Sequence, residues 1–554
     1  MTADNPVEIY VNSGSTAGPY LGTRTNPYNS VMAAIAAVWA PYSVIYLLRG
    51  VHYLQTQDIT STQLFPISAP FLRIQTLLCT GDGNDHLQCA FQPAVLQLTQ
   101  SDVNFVIAAS LTLQDVTIKG GFSLKNGCSA EYCTYCPAVH LNETTNSMYS
   151  DRNLPISDYA PQALCDRYKT SALFQLSPES TLNLTRVRFV TIKHQPLALI
   201  LNQCGNLLMT DVAFSNIIPR RLGLNGGVIQ QLTLDAYEPY YCGTFSYEGG
   251  MVELLNSGYE YSTNSLYSGF AWLSALRSIT ISRVLFLFNY MQIGKAKEIF
   301  GSALMFIQRF REMKVTNCTF RYNVADSGSA FYIYSDLNIP LVVKNGVATE
   351  QEVLSLLVEN NLFVNNTGRQ GSVIYVKFLT DQQNVLIRNN TFLNCFATKT
   401  SMLELSNGDL KDRYSVGEVV SVLLDGVLTD VFIPPVHTQL LELVFLSNYA
   451  PTVISLSSVA NILSANMQFV DCGNSLSGVT SNEYVIGSFL RNTSIYLSQE
   501  PPPPVALLCS ATFLVTDAYR VTLTDMQFLQ LSCINGSPGF TLSGTTRYVS
   551  AKLD

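Results

Sequence analysis

A six-residue pattern recurs along the chain and constrains its fold more than any other feature. A copy typically begins with an apolar residue followed by a variable one. Its third position is Asn, Asp or Arg in nine of the ten copies, its fourth is mostly apolar, its fifth is variable, and its sixth is Phe or Ile. Copies end at positions 118, 189, 214, 286, 320, 363, 392, 445, 469 and 528, so the spacing ranges from 24 residues (445 to 469) to 72 (214 to 286).

The spacing indicates a parallel β-solenoid. Units of 20 to 30 residues made of short alternating strands, without a helical period, are typical of that architecture. The short spacings predict single turns. The longer ones predict either one turn with an inserted loop, or two to three turns whose middle copies have diverged.

Strand geometry gives each position of the pattern a role. Alternate side chains of a strand face the same way, so the apolar residues should point into a narrow core and stack on their equivalents in the next turn. The Asn or Asp position should lie where the chain bends, because Asn tolerates the left-handed backbone conformation. The pairs Asn360-Asn361 and Asn389-Asn390 place amides there in successive units.

The start of the chain predicts a capped first turn. Residues 8–11 form an alternating strand, and Ser30 precedes the apolar run 31–38 as the N-cap of a short helix. Residues 43–48 and 50–54 then read as the first rung. A helix over the open end of a solenoid would cover unpaired strand edges.

These N-terminal segments resemble the cap and first coil of the pectin-lyase-like right-handed parallel β-helix superfamily, and the repeat extends the likeness over nearly the whole chain. The segment 128–137 is more specifically similar to Cys-containing surface β-helix ectodomains of ciliates. The resemblance implies an all-β, single elongated solenoid with a capping helix and lateral loop insertions. We predict the strand, helix and first rung in residues 1–60, and the β-helix in residues 61–554, with insertions near 120–175, 218–270 and 336–352.

Composition excludes several other classes of protein. Hydrophobic residues make up 47% of the 554 residues and charged residues 13%, which is unsuited to disorder. The net charge of −8 and the lack of a Lys/Arg cluster argue against nucleic acid as a partner. The most apolar stretch, residues 270–288, is interrupted by Arg277 and Arg283, so no membrane span is predicted.

Cysteines and glycosylation motifs together predict an oxidising, extracellular environment. Because thirteen cysteines are an odd number, at least one thiol is free or pairs with another chain. The start of the chain lacks the blocks of a signal peptide, so a secreted or cell-surface location requires that signal and any anchor be absent from this sequence. Predicted disulfide cysteines are Cys79, Cys89, Cys128, Cys133, Cys136 and Cys165. Asn-x-Ser/Thr acceptors are Asn142, Asn183, Asn317, Asn365, Asn389, Asn492 and Asn535.

No catalytic, cofactor or metal site is predicted. Glycoside hydrolysis needs two carboxylates facing one groove, and the Asp-Asp, Gly-His-Gly and Arg-Ile-Lys motifs of the superfamily's hydrolases are missing, as is the acidic calcium-binding cluster of its lyases. Asp82 and Asp85 are interpreted as parts of a disulfide-closed turn, and Asp409, Lys411 and Asp412 as a solvated insertion. Repeat acids Asp115, Asp211 and Asp525 are interpreted as turn residues that are far apart in the stack.

Other reactive residue types also favour structural roles. Cys133 and Cys136 have the spacing of a zinc or redox pair but lack a second pair, which favours a disulfide. The five histidines are scattered and none lies beside a Ser or Cys nucleophile motif. Trp39 and Trp272 could stack sugars, although aromatic residues of a β-helix usually fill its core.

The sequence does not decide whether the chain is an enzyme, but the missing motifs favour a non-catalytic protein. We expect an extracellular structural or adhesive glycoprotein of a cell surface, coat or filament. Its expected partners are covalent N-glycans and other surface proteins or copies of itself, with end-to-end assembly. The alternative is a polysaccharide lyase or hydrolase, or a glycan-binding lectin, that uses a lateral groove; adjacent rungs carrying carboxylates, Arg and exposed aromatics would favour it.

Overall fold

The computed structural model divides the chain into two compact units, residues 1–319 and 320–554. The structure describes residues 6–16, 18–54, 63–67, 69–77, 92–98, 103–120, 140–141, 148–149, 172–192, 198–217, 228–231, 241–254, 267–289, 302–325, 327–335, 343–344, 347–348, 354–368, 371–378, 383–397, 401–407, 419–424, 427–432, 437–448, 450, 452–457, 461–472, 511–516, 518, 520–531, 539–543 and 548–553.

Strands are the predominant element among the described residues of both units. The strands that begin in residues 1–319 are β1 (Val7–Val11), β2 (Tyr42–Leu47), β3 (Val51–Leu54), β4 (Gln63–Ile67), β5 (Phe71–Thr76), β6 (Ala94–Leu98), β7 (Val103–Ile107), β8 (Ser110–Gln114), β9 (Val116–Gly120), β10 (His140–Leu141), β11 (Met148–Tyr149), β12 (Phe174–Leu176), β13 (Thr181–Thr185), β14 (Arg188–Val190), β15 (Ile200–Asn202), β16 (Asn206–Ile217), β17 (Ile229–Gln231), β18 (Thr244–Leu254), β19 (Tyr267–Ser282), β20 (Leu285–Leu287), β21 (Ser302–Thr316) and β22 (Thr319–Arg321).

The strands that begin after residue 319 are also mostly short. They are β23 (Phe331–Ser335), β24 (Val343–Lys344), β25 (Val347–Ala348), β26 (Leu354–Glu359), β27 (Leu362–Val364), β28 (Thr367–Gly368), β29 (Ile374–Phe378), β30 (Gln383–Arg388), β31 (Thr391–Leu393), β32 (Phe396–Ala397), β33 (Ser401–Asn407), β34 (Val419–Leu424), β35 (Val427–Phe432), β36 (His437–Leu441), β37 (Val444–Leu446), β38 (Thr452–Ser457), β39 (Asn461–Val470), β40 (Ala511–Thr516), β41 (Arg520–Leu529), β42 (Phe540–Ser543) and β43 (Tyr548–Leu553).

Each unit is a right-handed parallel β-helix, as the sequence predicted. In the first unit β1 pairs in parallel with β2, β2 with β5, and β5 with β8, and the same ladder continues to β21. In the second unit β26, β30, β36, β39 and β41 stack likewise. Crossover connections between parallel strands of one sheet are right-handed almost without exception.

Antiparallel hairpins lie between the parallel rungs. They are formed by β10 with β11, β24 with β25, and β34 with β35. Each hairpin is a two-stranded sheet separate from the parallel ladder. The predicted boundary between residues 60 and 61 and the three predicted insertion ranges stay predictions.

The bend predicted at the third position of the repeat is present in all ten copies. These residues have φ between 50° and 56°, including Arg186 and Glu442, so the corner imposes the left-handed conformation on charged residues as well as on Asn. The residues of this first corner are Asp115, Arg186, Asp211, Arg283, Asn317, Asn360, Asn389, Glu442, Asn466 and Asp525.

One turn has diverged beyond recognition in the sequence. Phe214 pairs with Val252, and Val252 with Phe286, so the 72-residue spacing is two turns. Gly249 and Gly250 form the corner of this intervening turn with φ of 70° and 100°. A Cβ on Gly250 would overlap the carbonyl oxygen of Val212, which explains why the repeat pattern fails there.

The repeat phenylalanines stack in register along the core, as predicted. In the second unit successive ring centroids from Phe320 through Phe363, Phe392, Phe445 and Phe469 to Phe528 are 4.6 to 5.1 Å apart, with interplanar angles of 3° to 14°. The spacing of the rings therefore follows the separation of about 4.8 Å between neighbouring strands.

A second corner follows each repeat phenylalanine, and in six of these nine turns it places an Asn or Cys inside the core. The side-chain amide of Asn366 donates to the Phe320 carbonyl at 2.8 Å, and that of Asn448 donates to the Phe392 carbonyl at 2.8 Å. The thiol of Cys395 occupies the equivalent position and donates to the Phe363 carbonyl at 3.5 Å. Asn and Cys are interchangeable here because each supplies a donor to a buried carbonyl.

Burial keeps three free cysteine thiols protonated, those of Cys318, Cys395 and Cys472. It raises the pKa of Cys395 to about 12 and those of Cys318 and Cys472 to about 11. All three thiols are buried and unoxidised. They therefore act as hydrogen-bond donors rather than as nucleophiles.

The predicted N-terminal helix is present. Helix α1 (Val31–Ala36) begins after Ser30, whose Oγ accepts a hydrogen bond from the Met32 amide at 3.2 Å, and it packs against β1, β2 and β3. It ends two residues before the predicted limit of 38. In the described part of the chain, the structure has no helix with the length and apolarity needed to cross a bilayer.

The interchange of Asn and Cys gives a direct test. Cys395→Asn should retain the wild-type free energy of unfolding, because the amide can donate to the Phe363 carbonyl and accept from Asn366. Cys395→Ala should lower it by about 1–3 kcal/mol, the cost of leaving a buried polar group unpaired. Urea denaturation of the three proteins measures this difference. Equal losses in both variants would show that volume, and not the hydrogen bond, decides this position.

Candidate functional site

The first unit carries a continuous outward-facing surface, which we call the long face. Its strands are β1, β2, β5, β8, β13, β16, β18, β19 and β21, which pair in register. At about 4.8 Å per strand, these nine rungs span about 38 Å. By strand alternation the outward positions are, rung by rung, Glu8, Tyr10; Tyr42, Val44, Tyr46; Phe71, Arg73, Gln75; Ser110, Thr112, Gln114; Thr181, Asn183, Thr185; Asn206, Leu208, Thr210; Thr244, Ser246, Glu248; Ser278, Thr280, Ser282; and Glu312, Lys314, Thr316. Val44 and Thr112 are buried among their neighbours on this face.

The first three rungs of the long face bring aromatic rings, a carboxylate and a guanidinium together. Tyr10 and Tyr46 are register partners whose rings stack with centroids 5.2 Å apart. The Tyr10 hydroxyl donates to Glu8 Oε2 at 2.8 Å, and the Tyr46 hydroxyl donates to Glu8 Oε1 at 3.5 Å. Glu8 therefore ties the two hydroxyls to one carboxylate on an exposed surface.

The electrostatics of this cluster keep both hydroxyls protonated. Burial and the hydrogen bond to Glu8 raise the pKa of Tyr10 to about 12. Burial and the Glu8 charge also raise the pKa of Tyr46, and the charge of Arg73 partly offsets this increase. Both tyrosines are thus hydrogen-bond donors at physiological pH.

Arg73 adds a cation to the same cluster. Its guanidinium carbon lies 5.3 Å from the ring centroid of Phe71, and that ring lies 6.2 Å from the ring of Tyr42. The Nε atom of Arg73 has no hydrogen-bond partner among the residues that the structure describes. Because that atom is buried, a surface ligand cannot reach it, and what the third rung offers is a cation beside an aromatic ring.

The other six rungs of the long face are rich in hydroxyl groups. Eleven of their eighteen outward positions are Ser or Thr, and they lie in register from strand to strand. The charges here are paired: Lys314 Nζ lies 2.6 Å from Glu312 Oε1, and Glu248 pairs with Arg283 of the first corner. The long face thus changes from an aromatic, charged end to a polar, hydroxyl-bearing surface.

This arrangement suits binding better than hydrolysis. Aromatic rings contact the apolar faces of sugars, while carboxylates, guanidinium and hydroxyl groups bind sugar hydroxyls. Hydrolysis needs two carboxylates about 5–10 Å apart. On the described residues of the long face, Glu8 has no second carboxylate on its neighbouring rungs, and Glu248 and Glu312 are held by cations.

The repeat acids are arranged differently from the sequence interpretation. Asp115 and Asp211 are not far apart in the stack, because the residues before them, Gln114 and Thr210, are both register partners of Thr185, which precedes Arg186. Asp115 and Arg186 are 71 residues apart in the sequence yet follow paired residues of neighbouring rungs, and that separation hid their proximity. Arg186 donates from Nε and Nη2 to Asp115 at 2.6 and 2.9 Å. This bidentate pair raises the pKa of Arg186 and neutralises a carboxylate that is 1% exposed, so it is structural.

A serine and a histidine that are distant in sequence meet beside β1. His52 is buried, its Nε2 lies 2.6 Å from the Leu48 carbonyl, and its Nδ1 lies 2.7 Å from Ser13 Oγ. Because a carbonyl only accepts, Nε2 carries the proton and Nδ1 accepts from Ser13. Burial lowers the pKa of His52, which therefore stays neutral at physiological pH.

The predicted disulfide cysteines cannot be placed. Cys79, Cys89, Cys128, Cys133, Cys136 and Cys165 all lie outside the described residues, as do the acids at 82, 85, 409 and 412. The structure instead joins Cys204 to Cys242, which the sequence reasoning had not selected. These two cysteines precede the paired residues Asn206 and Thr244 on neighbouring rungs. Only the register reveals that they meet.

Four of the seven predicted glycosylation sites are described. Asn317 and Asn389 are exposed at the first corner, Asn365 is half-buried at the second corner, and Asn183 is half-buried on the long face. Asn142, Asn492 and Asn535 lie outside the described residues.

The two tryptophans lie in different surroundings, and no metal-binding cluster accompanies them among the described residues. Trp272 is buried against Phe306, with ring centroids 4.1 Å apart, whereas Trp39 is 73% exposed. Within the described ranges, no three His, Cys, Asp or Glu side chains converge where a metal ion could bind.

Comparisons with known proteins do not assign a family. No family model matches the sequence, and no curated protein matches it. Among solved structures, a family 28 exopolygalacturonase from Yersinia enterocolitica has 10% identity and a TM-score of 0.30, over 99% of this chain and 78% of that chain. The PL6 family alginate lyase AlyGC has 8% identity and a TM-score of 0.11, over 94% and 98%. At these values no residue or activity transfers from either enzyme.

The buried neutral His52 predicts a pH dependence of stability. Its pKa is about 6.5 in the unfolded chain and lower in the folded protein, so the unfolded state binds the proton more tightly. The contribution of neutral His52 to the free energy of unfolding is fully present above pH 6.5. It is lost as the pH falls from 6.5 through the pKa of His52 in the folded protein. The free energy of unfolding, measured with urea at pH 7.5 and 5.0, should therefore fall more for wild type than for His52→Gln. An equal fall in both would contradict a neutral buried His52.

Proposed function

We propose that this chain is an extracellular adhesive protein that binds polysaccharide through the long face, with the contacts concentrated on its first three rungs. The observation that carries the proposal is the cluster of Glu8, Tyr10, Tyr46 and Arg73 on adjacent strands. A carboxylate, a cation and stacked aromatic rings on neighbouring rungs form the combination expected of a glycan-binding β-helix.

The length and regularity of the long face favour a polymer over a small sugar. Outward groups recur about every 4.8 Å between rungs and about 6.8 Å along a strand. A chain lying along the rungs meets hydroxyl and amide groups at regular intervals beyond the aromatic end. Each contact is weak, but several along one polymer act together.

An extracellular location is supported by chemistry outside the long face. The Cys204–Cys242 disulfide joins neighbouring rungs, and disulfides persist in oxidising compartments. Two acceptor asparagines are exposed at corners, where attached sugars would project into solvent. Assembly into a coat or filament, end-to-end self-association and contacts with other surface proteins stay predictions.

Removing the tyrosine groups should weaken polysaccharide binding in a graded way. Tyr46→Phe removes only the hydroxyl and should weaken binding several-fold; Tyr46→Ala also removes the stacked ring and should weaken it by about tenfold or more, since such contacts contribute on the order of 1–2 kcal/mol. Affinity electrophoresis in gels containing neutral or acidic polysaccharides measures retention. Tyr53→Ala is the matched control, because Tyr53 is 53% exposed on β3, outside the long face.

The same material separates binding from catalysis. Polysaccharides that retain the protein should show no new reducing ends and no unsaturated products after prolonged incubation. Equal retention of wild type, Tyr46→Ala and Tyr53→Ala would show that polysaccharide does not bind at the Tyr46 cluster of the long face. Product formation would favour a lyase or hydrolase.

A further inference from the structure

We propose that Asn317 and Asn389 are the N-glycan attachment sites among the described acceptors, because the first corner of the β-helix presents their amides to solvent. Asn183 and Asn365 carry no glycan. This assignment rests on the extracellular location in the proposed function, but not on polysaccharide binding.

The corner holds each acceptor in a fixed, outward position. Asn317 and Asn389 have φ of 55° and 50° and are exposed. The residue that follows each one points inward and is bonded to the core. Cys318 donates from its thiol to the Ile281 carbonyl at 3.7 Å, and Asn390 donates from Nδ2 to the Val358 carbonyl at 2.9 Å.

The third residue of each motif begins the next strand. The amide of Thr319 donates to the Val284 carbonyl and that of Thr391 to the Asn361 carbonyl, both at 3.0 Å. Neither threonine is buried, whereas the Phe that follows each is fully buried. The motif therefore turns its Asn and Thr outward and only its middle residue inward.

A sugar at these corners would leave the packing of the rung intact. Asn389 Nδ2 donates to Asn360 Oδ1 at 2.6 Å. An N-linked sugar replaces one of the two amide hydrogens, so the other can still make this bond. Exposure at the corner gives the carbohydrate room away from both neighbouring strand faces.

The other two described acceptors have different surroundings. Asn183 lies in the middle of β13 between its register partners Thr112 and Leu208, and its Oδ1 accepts from Thr185, the hydroxyl residue of its own motif, at 3.4 Å. Asn365 is half-buried and its motif residue Thr367 is 4% exposed. Carbohydrate on Asn183 would lie across the outward side chains of the neighbouring rungs, and on Asn365 it would compete with the packing of the second corner.

The modification is a group transfer from a lipid-diphosphate-linked oligosaccharide. The amide Nδ2 forms a bond to the anomeric carbon, the bond from that carbon to the diphosphate oxygen breaks, and the diphosphate leaves with its electron pair. The amide loses one proton to the transferase. No oxidant or reductant is needed.

Glycopeptide mapping of the whole chain tests the assignment. The chain is secreted from insect cells behind a signal peptide, treated with peptide N-glycosidase in ¹⁸O-labelled water, and analysed by mass spectrometry. We expect labelled Asp at positions 317 and 389 and unmodified Asn at 183 and 365. Asn317→Gln and Asn389→Gln should each remove one glycan from the intact protein.

Two engineered acceptor sites compare glycosylation at a corner with glycosylation within a strand. Gln468→Thr creates an acceptor at Asn466, an exposed first-corner residue with φ of 54°. Leu208→Thr creates one at Asn206, a half-buried long-face residue that accepts from Thr244 at 2.9 Å. Both substituted side chains point outward. We expect Asn466 to be modified and Asn206 to remain unmodified.

Each outcome decides the inference. It is overturned if positions 317 and 389 are unmodified, if 183 or 365 is modified, or if the two new acceptors behave alike. Should a variant fail to be secreted, the wild-type map still decides. Polysaccharide retention is measured on the same preparations: retention without corner glycans overturns only this assignment, and corner glycans without retention overturn only the binding proposal.

Discussion

The left-handed corner is the constraint on which the rest of the structure depends. A parallel β-helix must change direction several times in each turn, and here one residue with φ near 50° makes the bend at the first corner of all ten copies and again after each repeat phenylalanine. The bend turns one side chain outward and the next inward. Because every strand starts from the same bend, residues of neighbouring turns come into register, and the Phe stack follows from that register.

The inward residue after a corner solves the problem of buried backbone. Carbonyl groups at a bend cannot all join the strand ladder, and an unpaired buried carbonyl is costly. Asn366 and Asn448 answer this with side-chain amides, and Cys395 with a thiol. In these turns the position holds a compact buried donor, and either Asn or Cys can supply it although the two residue types differ in chemistry.

Local patterns revealed the parts of the fold that depend on local chemistry. The corner residues, the inward Phe and the Ser30 cap lie within a few positions of one another and could be predicted from the sequence. Contacts that depend on register across long insertions could not. Asp115 meets Arg186 across 71 residues and Cys204 meets Cys242 across 38, and nothing in the intervening sequence encodes those distances.

The long face has the same origin and shows why the candidate site escaped the sequence. Glu8, Tyr46 and Arg73 each look like an ordinary outward residue of an isolated strand, and they gain meaning only as neighbours on adjacent rungs. Inward positions are fixed by packing, whereas outward ones are free to vary as long as they remain compatible with a sheet surface. A β-helix can therefore keep its repeat while the outward residues of each rung change. The repeat predicts the fold, whereas the outward residues decide what the surface can bind.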